Sequence, residues 1–149
     1  MKLEKEIHQK KFRNEYHKLT VNIIYTANWI TYEDHKIFKQ FGLTMPQFNV
    51  LRILRGSNSE PATINFLVDR LLDKTSNASR IVDKLCKKDL VDRSICEGDR
   101  RLVDVLITKK GLELLAQIDP VLEKSHKRFK TLNFDEAKTL NALLDKLRV

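Results

Sequence analysis

The sequence predicts a mainly α-helical chain with one small β-hairpin, and three observations carry that reading. Apolar residues recur at steps of three, four or seven along most of the 149 residues. The period shortens to two only between Val91 and Ile107. Glycine and proline are scarce, at 4 and 3, which disfavours a turn-rich all-β chain. Hydrophobic residues make up 42%, enough for a core and too many for a disordered chain.

The first helix is predicted as one piece from about Glu4 to Phe41. Its stripe is Phe12, Tyr16, Leu19, Ile23, Ala27, Ile30, Ile37 and Phe41, interrupted near Asp34. Such a stripe exceeds what the rest of a small domain can cover. Either the helix bends within one core, or another chain supplies the missing surface. Gly42 ends it as a left-handed cap. Thr44 and Gln47 have capping-box spacing, and Pro46 fits a first turn, so a second helix starts there. Phe48, Leu51 and Leu54 follow at helical spacing, Gly56-Ser57-Asn58 stops it, and Pro61 lies in a loop.

A third helix is expected from about Thr63 to Leu72, with Ile64, Leu67, Val68 and Leu71 inward. A tight turn at Asp73-Lys74-Thr75 leads to a fourth, from about Ser76 to Lys88. It buries Ala78, Ile81, Val82 and Leu85 and shows Ser76, Asn77, Ser79, Arg80, Asp83, Lys84 and Lys87 on its other face. Val91, Arg93 and Ile95 then alternate with Asp92 and Ser94, and Val103, Val105 and Ile107 alternate on the return. This is a hairpin whose tip is Cys96-Glu97-Gly98-Asp99-Arg100. Thr108 caps a fifth helix with the stripe Leu112, Leu115, Ile118, Leu122 and Phe129, and Pro120 predicts a kink near Asp119. Asn133 and Glu136 again have capping-box spacing and open a last helix carrying Ala137, Leu140, Leu143, Leu144 and Leu147 on one side.

Helices three and four, joined by a short turn, have helix-turn-helix spacing, and the adjoining hairpin makes a winged helix-turn-helix. The expected organisation is an N-terminal helix over 1–41, a winged lobe over 42–108 and C-terminal helices over 109–149, all in one structural unit.

The net charge of +8 and a pI near 9.5 favour a polyanionic partner. No apolar run approaches the roughly 18 residues of a membrane span. The start is charged, so no secretory signal is expected and the cytoplasm is the predicted compartment. Cys86 and Cys96 make neither a disulfide framework nor a metal motif. His8, His17, His35 and His126 show no metal spacing, so no metal or cofactor is expected. A nucleophile elbow, a phosphate-cradling glycine loop and a paired-carboxylate pattern are all missing, so an enzyme is not predicted.

Several stretches resemble one family. Phe41-Gly42-Leu43-Thr44-Met45-Pro46-Gln47-Phe48-Asn49-Val50-Leu51 is similar to the "yGLTxxQxxvL" stretch of the MarR (multiple antibiotic resistance regulator) transcription factors. Ser79-Arg80-Ile81-Val82-Asp83-Lys84-Leu85 resembles their recognition helix. Leu90-Val91-Asp92-Arg93, Asp99-Arg100-Arg101 and Leu106-Ile107-Thr108-Lys109-Lys110-Gly111 resemble their wing and the turn after it, and Leu132-Asn133-Phe134-Asp135-Glu136 the start of their last helix. Four motifs in order span nearly the whole chain. Asp89 departs from the family's usual glycine before the wing. The position calls for a left-handed residue, which Asp tolerates better than most.

The resemblance implies a homodimeric regulator, most often a repressor, on a pseudo-palindromic duplex operator. The first and last helices would be its dimerisation elements. Thr75, Ser76, Asn77, Ser79, Arg80 and Lys84 are the candidate contacts in the major groove and on its phosphates. By resemblance, Arg101 enters the minor groove, held by Asp99, while Arg100 meets the backbone. Trp29, Tyr32, His35 and Phe48 are candidates for lining a pocket where the first helix meets the lobe. Relatives take small phenolic or anionic effectors there; the plainer reading is that these residues pack the junction. The alternatives are a winged-helix module that binds protein, or a regulator that responds to oxidants through cysteine.

Overall fold

A computed structural model of the chain describes residues 2–57, 60–95 and 103–148. Helices α1 (Leu3–Glu6), α2 (Glu15–Gln40) and α3 (Met45–Gly56) precede strand β1 (Ala62–Thr63). Helices α4 (Ile64–Arg70) and α5 (Ala78–Cys86) follow, then strands β2 (Val91–Ile95) and β3 (Val103–Ile107). Helix α6 (Lys109–His126) runs into a 3-10 turn (Lys127–Thr131), and α7 (Phe134–Lys146) closes the order.

The single N-terminal helix of the sequence reading is corrected to two pieces. His8 takes a left-handed φ of 53° and ends α1, and the Asn14 side chain accepts from the His17 N–H at 2.9 Å, starting α2 afresh. Helix α1 folds back on α2, with Lys18 paired to Glu4 at 2.6 Å and the Tyr25 hydroxyl donating to Glu6 at 2.8 Å. Asp34 does not break α2. Its carboxylate accepts from Arg128 at 2.9 Å, pinning the 3-10 turn to the middle of the long helix.

The left-handed corners at Gly42 and Asp89 form the same cap. At Gly42 (φ 67°) the Leu43 N–H reaches back to the Phe38 carbonyl, and at Asp89 (φ 58°) the Leu90 N–H reaches the Leu85 carbonyl. The capping boxes at Thr44/Gln47 and Asn133/Glu136 both form. Helix α6 continues through Pro120, whose neighbour Asp119 takes both guanidinium nitrogens of Arg55, at 2.6 and 3.2 Å.

The sheet order is β1-β3-β2, antiparallel throughout, with Val91 opposite Ile107 and Ala62 opposite Val105. Strand β1 is absent from the sequence reading, because two residues are too few to show a period. The core lies between α3, α4, α5, the sheet and the first half of α6. Val50, Leu51, Leu54, Leu67, Val82, Leu85, Val91, Val105, Leu115 and Ile118 are fully buried in it. Gly111, at the start of α6, is there for space. A Cβ on it would meet the Leu90 carbonyl at 2.4 Å and the Ile107 side chain at 2.8 Å.

Candidate nucleic-acid interface

The connection between α4 and α5 is longer than the tight turn read from the sequence. It is organised by one carboxylate. Asp73 accepts from the Thr75 N–H at 2.9 Å, the Thr75 hydroxyl at 2.6 Å and the Ser76 hydroxyl at 2.8 Å. These bonds stabilise the ionised form and hold the Asp73 carboxyl below the usual aspartate range. Lys74 turns back to the Val68 and Asp69 carbonyls at the end of α4. Thr75 and Ser76, two of the candidate contacts, therefore have hydroxyls already spent on the turn, each retaining acceptor capacity outward.

Asn77 caps α5, accepting from the Arg80 N–H at 3.0 Å. Past the cap, the helix divides into two faces. Ala78, Val82 and Leu85 are buried against the core, whereas Asn77, Arg80, Asp83, Lys84 and Lys87 are exposed and Ser79 is half-buried. Among the described residues Arg80 and Lys84 have no carboxylate partner. No other element of the described chain covers the outward face, so a short polar rod, with two cations that no described carboxylate pairs, stands open to solvent.

The hairpin is fixed to that rod at its base. Arg93 of β2 donates to Asp83 of α5, and Lys110 of α6 donates to the Lys88 carbonyl at 2.8 Å and pairs with Asp89 at 3.4 Å. The Thr108 hydroxyl also bonds the Asp89 carbonyl at 2.8 Å. The wing-tip candidates Asp99, Arg100 and Arg101, and with them Cys96, lie outside the described residues.

A cavity of about 650 Å³ opens between α2, the start of α3 and the α4–α5 connection. Tyr32 and His35 line it, with Thr31, Pro46, Asn49 and Leu72. Trp29 and Phe48 are placed elsewhere. The Arg128 guanidinium lies 5.1 Å from the Trp29 ring, and Phe48 stacks on Phe38 at 4.5 Å. The sequence reading set all four aromatic candidates at one junction but could not say which side of it each one serves. Ser76 also lines the cavity, so its far wall is the end of the connection that starts α5.

Cys86 is half-buried on the wing side of α5. Burial pushes its thiol pKa up, and the charge of Asp83 adds to the effect. Such a thiol is mostly protonated at neutral pH and poorly nucleophilic.

Comparison with known proteins places this geometry. The family model described as MarR family matches residues 43–103. The HTH-type transcriptional regulator MgrA of Staphylococcus aureus is 32% identical over 116 residues, covering 78% of this chain and 77% of MgrA. Two solved structures share the fold. A MepR–DNA complex from S. aureus has a TM-score of 0.77 at 19% identity, covering 92% of this chain and 96% of that one. An organohalide-sensing transcriptional regulator, RdhR, in its 2,4-dichlorophenol-bound form has a TM-score of 0.81 at 20% identity, covering 94% and 85%.

Proposed function

The chain belongs to the MarR family and is a DNA-binding transcriptional regulator, and from that premise we propose that it grips duplex DNA as a homodimer with α5 of each protomer in a major groove. The observation that carries this reading is the uncovered polar face of α5, backed by the buried Ala78, Val82 and Leu85. Asn77 and Ser79 are short enough to approach base edges. Arg80 is the residue that reaches a guanine edge or a phosphate, and Lys84 takes a phosphate. Arg100 and Arg101 of the wing serve the backbone and the minor groove, with Asp99 orienting Arg101. The work is done where the DNA is, in the cytoplasm.

The dimer rests on unburied apolar faces at both ends of the chain. Tyr16, Leu19 and Ile23 on α2 are exposed at helical spacing, as are Leu140 and Leu143 on α7 and Leu147 at its C-cap, and Phe134 is 82% exposed. A second copy covers such faces by two-fold symmetry and presents two α5 helices about 34 Å apart. We further propose that the 650 Å³ cavity takes a small phenolic or anionic effector, with Tyr32 and His35 as its polar handles. Because Ser76 forms part of its wall, a ligand there shifts the start of α5 and the population able to bind DNA. With α5 of each protomer in a major groove of a promoter, repression by occluding that promoter is the mode this reading favours.

Selection of bound fragments from a random duplex pool tests the reading. A recovered pseudo-palindrome with half-sites about one turn apart supports it. Recovery of no preferred sequence, with weak binding throughout, supports a protein-binding winged module instead.

A further inference from the structure

The far end of α5 gathers positive charge that base recognition does not use. Lys84, Lys87 and Lys88 stand there with Lys39 of α2 around an open cavity of about 480 Å³, beneath the α2–α3 turn. No Asp or Glu lines it. Among the described residues none of these four lysines pairs with a carboxylate. Lys88 is fixed in place: its ammonium donates to the Gly42 carbonyl at 2.5 Å and to Gln47 Oε1 at 3.3 Å. Those acceptors are neutral, so they satisfy its hydrogen bonds without cancelling its charge. Lys39, Lys84 and Lys87 are exposed around it. Like charges around one cavity make it attractive to an anion.

The position of the corner says which anion. Helix α5 has two flanks. On one, Asp83 and Cys86 stand against Val91, Asp92 and Arg93 of the hairpin. Lys39, Lys84 and Lys88 occupy the other, where α5 meets α2 and α3, and Lys87, just past the end of α5, borders both. A major groove is bordered by a phosphate backbone on each edge. With α5 in the groove, the wing lies over one edge and the lysines face the other.

We propose that Lys39, Lys84 and Lys87, around the fixed charge of Lys88, form a phosphate site for the DNA backbone on the edge of the groove opposite the wing. The proposal rests on the groove-facing role of α5. It adds contacts from α2 and from the end of α5, Lys39 and Lys87, that read no base and therefore strengthen binding to every sequence alike. It also fixes the tilt of α5 by holding both flanks of the helix.

The test compares two full-length double variants by fluorescence anisotropy on a mixed-sequence duplex across a salt series. Lys39→Gln/Lys87→Gln removes two exposed charges from the corner. Lys10→Gln/Lys11→Gln removes the same charge from the α1–α2 turn, which precedes the start of α2, itself about 36 Å along the helix axis from Lys39. Thermal melts should match the unaltered chain, since all four side chains are exposed. The expected result is a salt dependence flattened by about one to two counterions per chain in the corner variant only. Equal slopes for the two variants overturn the site. If the unaltered chain binds no duplex, the groove-facing reading fails and takes the site with it. If inorganic phosphate replacing chloride at constant ionic strength weakens only the unaltered chain on DNA, the corner is a site for free phosphate and the backbone assignment is overturned.

Discussion

The Arg93 guanidinium of β2 donates to the Asp83 carboxylate of α5, so the hairpin and α5 share one electrostatic joint. The pair is largely exposed, and exposed pairs contribute only about 0–1 kcal/mol to stability. Its consequence is geometric. It ties the hairpin to α5, the two elements proposed to reach DNA. Arg93→Ala is expected to leave the melting temperature within a few degrees and to weaken duplex binding several-fold, measured by anisotropy. A large loss of stability with unchanged affinity per folded molecule would place the pair in the core's support instead.

Asp73 supports the connection that starts α5. Asp73→Ala frees the Thr75 and Ser76 hydroxyls together and should speed amide exchange across residues 73–77 while lowering DNA affinity. The pH dependence has a definite sign. The folded pKa of Asp73 lies below its unfolded value, because the Thr75 and Ser76 bonds favour the ionised carboxylate. Its contribution is therefore complete above the unfolded pKa and is lost as pH falls through the folded one. Protection of the Thr75 and Ser76 amides, taken relative to the intrinsic exchange rate at each pH, should stay flat through neutral pH and fall only in acid. A transition near neutral pH would contradict this.

Gly111 has no room for a methyl group, since the Leu90 carbonyl and Ile107 side chain already crowd its Cβ position. Gly111→Ala should cost about 1–3 kcal/mol in denaturant unfolding, the range for overpacking, despite the better helix propensity of alanine. A neutral or stabilising result would show that α6 can move off the β2–β3 base.

The Cys86 thiol should react slowly. In a Cys96→Ser background, its alkylation at neutral pH should lag well behind that of the urea-unfolded chain, because burial and then Asp83 hold it protonated. With Cys86 intact, the Cys96→Ser variant should keep its DNA affinity through peroxide treatment. Rapid labelling, or peroxide-sensitive binding that vanishes in Cys86→Ser, would restore the cysteine-sensing alternative.

What the sequence displays depends on how local the cause is. The caps at Gly42, Asp89, Thr44 and Asn133 are set within a few residues, so their patterns read directly. Asp89 was legible as a left-handed position, and its cap repeats the bonding at Gly42. The amphipathic division of α5 was equally plain, because Ala78, Val82 and Leu85 fall on one side of a single short helix. The break at His8 was not, since the apolar stripe from Phe12 onward runs on smoothly and a lone histidine carries no stop signal. The placement of Trp29 under Arg128, residues distant in sequence, and the gathering of Lys39 with Lys84, Lys87 and Lys88 depend on tertiary packing. Periodicity along one helix says nothing about which neighbour's lysine will stand across from it.

The central claim is that two copies of α5 occupy neighbouring major grooves on one face of a duplex. Hydroxyl-radical footprinting on a fragment recovered by selection measures this directly. The account predicts two symmetric protected regions centred about 10 base pairs apart, each lost on Arg80→Ala. One unsymmetric footprint, or a protected pattern that Arg80→Ala leaves intact, would contradict it.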